Sequence, residues 1–332
     1  MTYKMYIGGY SSDNSSIYEV NFYPENNELK IESVNNESLN PVHIRIKDDI
    51  LFTANEIDEV ARVSSFRINA DGSLKLINRM DAQGFGTCDI TVDDDILYGA
   101  NYGSGNIFSV VFEEDGQLIE VMSNIDHIGE EPRAHSTILS KDSKYLYEAN
   151  LGLDRIFAYE VFPEGIIRSL PSQLSVSLKD NEGPRHMNIS RDGKYLYVVN
   201  EFGNSIYSYS INPVNGHLQQ IDRIKLTDDI KCYAADIHFA KHSDQLYVSL
   251  RGNNEIYLID VEDGKMTIVE KYPSGGKWPR SFTITDDSKY MIVTNQYSDT
   301  VSVLEINQNT GALSAPIAEV EIFRPTTVAI YK

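Results

Sequence analysis

Cysteine and basic residues are both scarce in this sequence, and each scarcity excludes a class of protein. Only two cysteines occur among 332 residues, Cys88 and Cys232, too few for the disulfide framework of a small secreted domain. Lys and Arg number 29 against 49 Asp and Glu, which gives a formal net charge of −20. This acidic excess argues against nucleic acid or an anionic membrane surface as a partner, because both attract stripes of basic side chains.

Long apolar runs are also absent. No stretch reaches the roughly 18 apolar residues of a membrane span. The first ten residues, MTYKMYIGGY, pass directly into a strand pattern and lack the basic and apolar regions of a signal peptide. We therefore expect a cytoplasmic protein with no membrane partner, present as a monomer or weak homo-oligomer.

The sequence does contain an internal repeat. Strand-like segments such as LFTANE and LYVVNE recur with their last strand residue 45 to 50 positions apart. A turn such as ADGSL or VNGHL follows each of them, and Asp-Gly and Asn-Gly supply the positive φ angles of tight hairpins. The repeated positions are Gly9, Asn55, Asn101, Asn150, Asn200, Leu250 and Asn295.

Repeats of this length with several short strands each are typical of β-propellers. We predict an all-β fold with a single domain over residues 1–332: a seven-bladed β-propeller with four-stranded antiparallel blades. The last segment, residues 324–330, repeats the inner strand of a blade, whereas the chain begins at the second strand. The C-terminal strand should therefore complete the N-terminal blade, leaving no bare sheet edge.

The innermost strands of a propeller line its central channel, so one repeat position contributes a ring of seven side chains. The first ring is His43, Asp89, His135, His186, Asp236, Ser281 and Thr327. The position before it gives Val42, Cys88, Ala134, Arg185, Ala235, Arg280 and Thr326. The position after each repeated residue, at the mouth, gives Tyr10, Glu56, Tyr102, Leu151, Glu201, Arg251 and Gln296.

Titratable groups that converge in one concavity are typical of a binding or catalytic site. The alternative is that these polar side chains only solvate a water-filled channel. The repeated Asn residues are interpreted as structural, because an Asn at a strand end can bond to nearby backbone. The tyrosines are interpreted as packing between blades, and Trp278 as a core or rim residue, with stacking on a sugar as its alternative.

Motifs for metals and cofactors are missing. There is no Gly-rich phosphate loop and no Cys-based zinc spacing. The acidic runs at residues 93–95 and 286–287 lack the ligand order of an EF-hand. We expect no cofactor and no metal site. Cys88 has no thiolate-activating motif around it and is interpreted as unreactive.

Several motifs resemble the seven-bladed β-propeller lactonase family, which includes bacterial 6-phosphogluconolactonases and fungal carboxy-muconate cyclising enzymes. They include YIGGY at residues 6–10, GPRHMNISRDGKYLYVVNE at 183–201 and WPRSFTITDDSKYMIVTNQ at 278–296. The resemblance covers nearly the whole chain. It implies a site at the channel mouth built from His135, Arg185, Glu201 and Arg251.

The resemblance also implies an activity: hydrolysis of a sugar lactone, namely 6-phosphogluconolactone to 6-phosphogluconate, a step of the pentose phosphate pathway. Either His135 or Glu201 would be the general base. Arg185 and Arg251 would bind a phosphate or carboxylate of this small anionic substrate, and one of them could stabilise the oxyanion. Further candidates for substrate binding are His186, Arg280, Glu56 and Asp89.

One departure and two alternatives remain open. The family often has Cys-His in the second blade, where this chain has Cys88-Asp89, so its substrate preference can differ. A muconate-type cycloisomerase that forms a lactone would use the same arginine pair on carboxylates. A non-enzymatic propeller would bind a ligand or protein on its rim, and the fold by itself does not decide among these functions.

Overall fold

Seven antiparallel sheets surround a central channel in the computed structural model, which describes residues 2–12 and 15–331. These ranges contain 29 strands and no helix, and hence no helix that could cross a membrane. Sequence neighbours pair within each sheet, from an inner strand at the channel to an outer strand at the rim. The predicted all-β, seven-bladed propeller is confirmed.

The strands follow the repeat along the chain. The chain opens with β1 (Tyr3–Ser12), β2 (Ser15–Tyr23) and β3 (Glu28–Asn35). The second blade is β4 (Pro41–Lys47), β5 (Ile50–Ile57), β6 (Val60–Ile68) and β7 (Leu74–Ala82). The third blade is β8 (Thr87–Asp93), β9 (Ile96–Asn101), β10 (Ile107–Phe112) and β11 (Leu118–Ile125).

The fourth blade is β12 (Ala134–Leu139), β13 (Tyr145–Asn150), β14 (Arg155–Val161), β15 (Ile167–Ser169) and β16 (Ser175–Ser177). The fifth blade is β17 (Pro184–Ile189), β18 (Tyr195–Asn200), β19 (Ser205–Ile211) and β20 (Leu218–Lys225). The sixth blade is β21 (Tyr233–Phe239), β22 (Gln245–Arg251), β23 (Glu255–Glu262) and β24 (Lys265–Pro273). The seventh is β25 (Pro279–Ile284), β26 (Tyr290–Asn295), β27 (Thr300–Ile306) and β28 (Leu313–Glu321), and the chain closes with β29 (Pro325–Tyr331).

The last strand closes the ring as the sequence predicts. Strand β29 pairs antiparallel with β1, with Ile330 opposite Met5 and Val328 opposite Ile7. It also joins the next blade, because the Thr326 hydroxyl donates a hydrogen bond to the Val42 carbonyl at 2.9 Å. The N- and C-terminal strands thus share one sheet, and β29 supplies the inner strand that the first blade would otherwise lack.

The fourth blade departs from four regular strands. Its outer edge is divided between β15 and β16, which both pair with β14. Ser169 lies opposite Tyr159, and Val176 lies opposite Ile156. Two short strands therefore form the outer edge that a single strand forms in the other blades, and this edge lies far from the channel.

Buried tyrosines join neighbouring blades by a repeated contact. The hydroxyls of Tyr6 and Tyr247 each donate to a glycine carbonyl, that of Gly72 or Gly311, at 2.7 Å. Tyr147 does the same to Gly216 at 2.9 Å. For these three tyrosines the predicted packing between blades is confirmed, since each ring is buried and its hydroxyl is satisfied by the adjacent blade.

The repeated asparagines have the structural role that the sequence suggests. Fully buried Asn55 and Asn101 donate to the carbonyls of Leu39 and Gln83 at 2.6 and 3.0 Å. Asn150 accepts a hydrogen bond from the backbone NH of Arg133 at 2.9 Å. Each of these partners lies in the loop that leads into an inner strand, so these three asparagines fix the loops from which channel residues project.

Candidate active site

Irregular pairing at the start of the inner strands shapes the channel mouth. Strand β17 shifts register against β18 between Pro184 and His186, so Arg185 has no cross-strand partner there. The inner strands of the other blades shift at the corresponding place. Because a bulge re-aims side chains that would otherwise alternate, two consecutive residues, Arg185 and His186, can both face the channel.

Two arginines converge on one carboxylate at the mouth. The Oε2 atom of Glu201 lies 2.9 Å from Arg185 Nε and 2.9 Å from Arg251 Nη2. Backbone carbonyls hold the other edges: Arg185 Nη1 donates to Ala235 O at 2.6 Å, and Arg251 Nε donates to Tyr233 O at 3.1 Å. Glu201 thus fixes the relative orientation of two guanidinium groups that reach it from different blades.

The charges of this group perturb one another. Burial would raise the pKa of Glu201, but the adjacent guanidinium groups of Arg251 and Arg185 outweigh burial and lower that pKa. Burial, reinforced by repulsion from Arg251, lowers the pKa of Arg185 to about 10. At neutral pH the Glu201 carboxylate is therefore ionised and Arg185 is charged.

A second arginine–glutamate pair lies on the other side of the mouth. Arg280 Nη2 is 3.6 Å from Glu56 Oε2, and Arg280 Nη1 donates to the Tyr10 hydroxyl at 3.3 Å. Tyr10 in turn donates to Glu56 at 3.0 Å. Three guanidinium groups against two carboxylates leave the mouth with an excess of positive charge, in a protein whose net charge is −20.

His135 is buried beside the arginines, and its Nδ1 atom is enclosed by protein. Its residue surface is 5% exposed, and its Nδ1 atom has no hydrogen-bond partner in residues 2–12 and 15–331. Its ring centroid lies 5.7 Å from that of Tyr102 and 5.2 Å from that of His186. Burial, followed by repulsion from Arg185, lowers the pKa of His135 well below its usual value, so the imidazole is neutral at pH 7.

Histidine–aspartate pairs occupy a deeper level of the channel. Asp89 Oδ1 is 2.9 Å from His43 Nδ1, and Asp236 Oδ1 is 2.7 Å from His186 Nδ1. The pKa of Asp89 is lowered to about 2, because its interaction with His43 outweighs the effect of burial. Burial and then Arg185 lower the pKa of His186 to about 4. His238 bonds to the second oxygen of Asp236 at 3.1 Å.

The candidate residues therefore form two groups. His135, Arg185, Glu201 and Arg251, with Arg280 and Glu56, lie at the mouth where the inner strands begin. His186 and Asp89 instead line a cavity of about 390 Å³ that also includes Arg45 and Lys241, further along the inner strands. Asp89 is held within the channel wall, since its second oxygen accepts the backbone NH of Thr137 at 3.0 Å.

Cys88 faces a backbone carbonyl. Its Sγ atom lies 3.3 Å from the carbonyl oxygen of His135. Burial, with a further contribution from Glu56, raises the pKa of this thiol well above its usual value. The thiol is therefore protonated, which agrees with the interpretation of Cys88 as unreactive. In the described ranges, no cluster of three or more His, Cys, Asp or Glu side chains is arranged to hold a metal ion.

An aromatic wall beside Arg251 was not assigned to the site from sequence. The Arg251 Cζ atom lies 5.3 Å from the ring centroid of Trp278 and 5.9 Å from that of Tyr233. Trp278 is thus a rim residue rather than a core residue. Its place directly before Pro279-Arg280, at the entry to an inner strand, was the available signal.

Comparison with known proteins places this geometry in context. A family model described as "Lactonase, 7-bladed beta-propeller" matches residues 4–330. A 6-phosphogluconolactonase of Bacillus subtilis (strain 168) is 25% identical over 341 residues, covering 97% of each chain. The crystal structure of a proposed 6-phosphogluconolactonase from Bacteroides fragilis is 26% identical, with a TM-score of 0.92 over 100% of this chain and 98% of that one. A periplasmic gluconolactonase of Pseudomonas aeruginosa, 24% identical, shares the fold with a TM-score of 0.92 over 100% and 99% of the two chains.

Proposed function

This chain belongs to the seven-bladed β-propeller lactonase family, and we propose that it hydrolyses a sugar lactone, specifically 6-phosphogluconolactone to 6-phosphogluconate. The name of the Bacillus subtilis relative supports this substrate. One observation carries the assignment: Arg185 and Arg251 are fixed by a single oxygen of Glu201, beside the buried imidazole of His135.

The arginine pair supports an anionic substrate. Within the described residues, Arg185 Nη2 and Arg251 Nη1 donate no hydrogen bond. The other guanidinium nitrogens of both arginines contact Glu201 or a backbone carbonyl. These free edges can donate to a phosphate, a carboxylate or a developing oxyanion. The excess positive charge of the mouth favours the same ligands.

His135 is the general base in this proposal. Its neutral imidazole accepts a proton from water as the water oxygen attacks the lactone carbonyl. Arg185 stabilises the oxyanion, because it lies beside His135 and is almost fully buried. When the ring C–O bond breaks, the proton passes from His135 to the leaving hydroxyl, and the new carboxylic acid ionises.

Glu201 orients the arginines rather than acting as the base. Both guanidinium groups already contact its Oε2 atom, so this oxygen is occupied by the two arginines. Arg251 and Arg280 bind the phosphate at the outer part of the mouth. Hydrolysis of 6-phosphogluconolactone above its spontaneous rate, and loss of that excess in His135→Gln, is the direct test.

The two alternatives are separated by substrate and by surface. A cycloisomerase would consume a muconate-like dicarboxylate without adding water, so a substrate panel distinguishes it. A rim-binding protein is favoured by exposed apolar side chains in loops on the mouth face. These are Leu39, Phe85, Ile128, Phe202, Ile230, Tyr297 and Phe323. On that alternative, alanine at His135 and Arg185 would leave binding intact.

We also propose a cytoplasmic location, a place in the pentose phosphate pathway and a monomeric or weakly associating state, with no cofactor and no nucleic-acid or membrane partner. Cys88 and Cys232 are free thiols, as expected in a reducing compartment. A similarly folded gluconolactonase is described as periplasmic. Cell fractionation with a periplasmic marker would overturn the location if the protein separated with that marker.

A further inference from the structure

The residue directly before the inner strand has a left-handed backbone in five blades. These residues are Asn40, Gly86, Gly183, Trp278 and Arg324, with φ angles of 45°, 70°, 65°, 66° and 39°. Glycine adopts this conformation without cost and asparagine tolerates it, whereas a bulky side chain is strained there. Trp278 therefore occupies a position at which other blades of this chain use glycine.

The loop itself accounts for the backbone of Trp278. Its NH donates to Asn254 Oδ1 at 2.8 Å, and its carbonyl accepts the backbone NH of Gln296 at 3.0 Å. Neither contact uses the indole, and a glycine would make both. The presence of a tryptophan at this strained position must be explained by what its side chain contacts.

The indole lies in a stack that ends on Arg251. Tyr297 stacks on Trp278 with ring centroids 4.7 Å apart and an interplanar angle of 21°. The Arg251 Cζ atom lies 5.3 Å from the indole centroid. A guanidinium group held over an aromatic face keeps its NH edges free for hydrogen bonds in its own plane. The NH groups of Arg251 contact Glu201 and the carbonyls of Tyr233 and Ala234, and the remaining edge faces the channel mouth.

The other large residue at this position behaves in the same way. Arg324 places its Cζ atom 4.8 Å from the ring centroid of Tyr10. Tyr10 in turn contacts Arg280 and Glu56. Where the strained position carries a large side chain, that side chain supports a charged group of the mouth.

We propose that Trp278 is a positioning residue that fixes the plane of the Arg251 guanidinium and so sets the affinity of the mouth for the anionic group of the substrate. The identity of that substrate rests on the proposed function. The support of Arg251 by Trp278 does not, because it concerns contacts within the chain itself.

The first test is Trp278→Gly, which removes the indole and its backbone strain together. Its thermal unfolding temperature should equal or exceed that of the wild type, while KM for 6-phosphogluconolactone rises on the order of tenfold and kcat changes little. Trp278→Phe should keep KM within about threefold of wild type, since a smaller aromatic face remains. A lowered unfolding temperature with kcat and KM impaired together would show that the indole is only a packing element.

The second test asks whether Trp278 acts through Arg251. In an Arg251→Ala background, Trp278→Gly should leave KM unchanged, because the group that the indole positions is gone. Equal increases in KM from Trp278→Gly in both backgrounds would overturn the proposal.

The third test does not need activity, because Trp278 is the single tryptophan of the chain. In the ligand-free protein, Arg251→Ala should shift the tryptophan emission, and titration of the wild type with 6-phosphogluconate should change it saturably. A saturable change without lactone hydrolysis would retain this inference and reject the proposed function. Lactone hydrolysis with an emission insensitive to both Arg251→Ala and 6-phosphogluconate would retain the function and reject the inference.

Discussion

The Nε atom of Arg185 lies 2.9 Å from Oε2 of Glu201, and this pair joins the start of an inner strand to the end of its neighbour in the fifth blade. The same oxygen contacts Arg251 of the next blade. The carboxylate therefore offsets the repulsion between two guanidinium groups that would otherwise separate. In the proposed mechanism Glu201 orients the two arginines, and His135 would carry out the proton transfer.

Glu201→Gln should weaken this organisation without a large change in shape. Removing one partner of a buried ion pair costs roughly 3–5 kcal/mol, so thermal or denaturant unfolding should show a large loss of stability. The value of kcat/KM for the lactone should fall by about a hundredfold, with KM increased, because both arginines lose their orientation. If Glu201 were the base instead, its substitution would lower kcat with KM preserved and would exceed the effect of His135→Gln.

Stability should fall as the pH decreases from 6.5 to 4, because of the deeper histidines. The folded pKa of His186 is about 4, so in this window the unfolded chain binds a proton at His186 that the folded chain does not. Protonation therefore favours unfolding, and the loss at pH 4 relative to pH 7 is on the order of 3 kcal/mol. Below this window, Asp89 and Asp236, whose folded pKa values are lowered, add a further loss.

His186→Gln is the matching variant, because a glutamine amide can still donate to Asp236 but does not titrate. Its plot of unfolding temperature against pH should be flatter between pH 6.5 and 4 than that of the wild type. The control is His242→Gln at an exposed histidine, which should follow the wild-type slope. Identical slopes for wild type and His186→Gln would contradict the neutral, buried state of His186.

Inorganic phosphate and 6-phosphogluconate should inhibit competitively by binding at Arg251. Arg251→Gln should raise their inhibition constants by at least about tenfold, since a charge-assisted hydrogen-bonding edge is lost. Arg45→Gln is the control, because Arg45 lines the cavity further along the channel and not the mouth. If Arg45→Gln weakened inhibition and Arg251→Gln did not, the anion site would lie at the other end of the channel.

The fold was predictable because its signals repeat. The Asn residues at strand ends and the Gly-containing turns recur at the same spacing, which determined the number of blades. Residues 324–330 repeat the inner strand of a blade, whereas the chain begins at a second strand, and this determined the closure. The divided outer edge formed by β15 and β16 was not predictable, because outer strands contact little of the channel and the repeat leaves their length free.

The sequence predicted which candidate residues lie close together better than it predicted their depth in the channel. Counting along the repeat placed Arg185 and His186 on adjacent levels, but a two-residue period cannot reveal the bulge that turns both toward the channel. For the same reason, counting along the repeat could not show that Asp89 lies deeper in the channel than the residues of the mouth. The role proposed for Trp278 could not be predicted from the sequence, because it depends on a left-handed backbone that contacts within the loop determine.

The most direct test of the central claim is the initial rate of 6-phosphogluconolactone hydrolysis, corrected for the spontaneous rate, for wild type and His135→Gln across pH. The wild type should exceed buffer, His135→Gln should lose about 10²- to 10⁴-fold in kcat, and the wild-type acid limb should lie below the ordinary histidine pKa of about 6.5. A wild-type rate equal to that of buffer, or full activity in His135→Gln, would contradict the account.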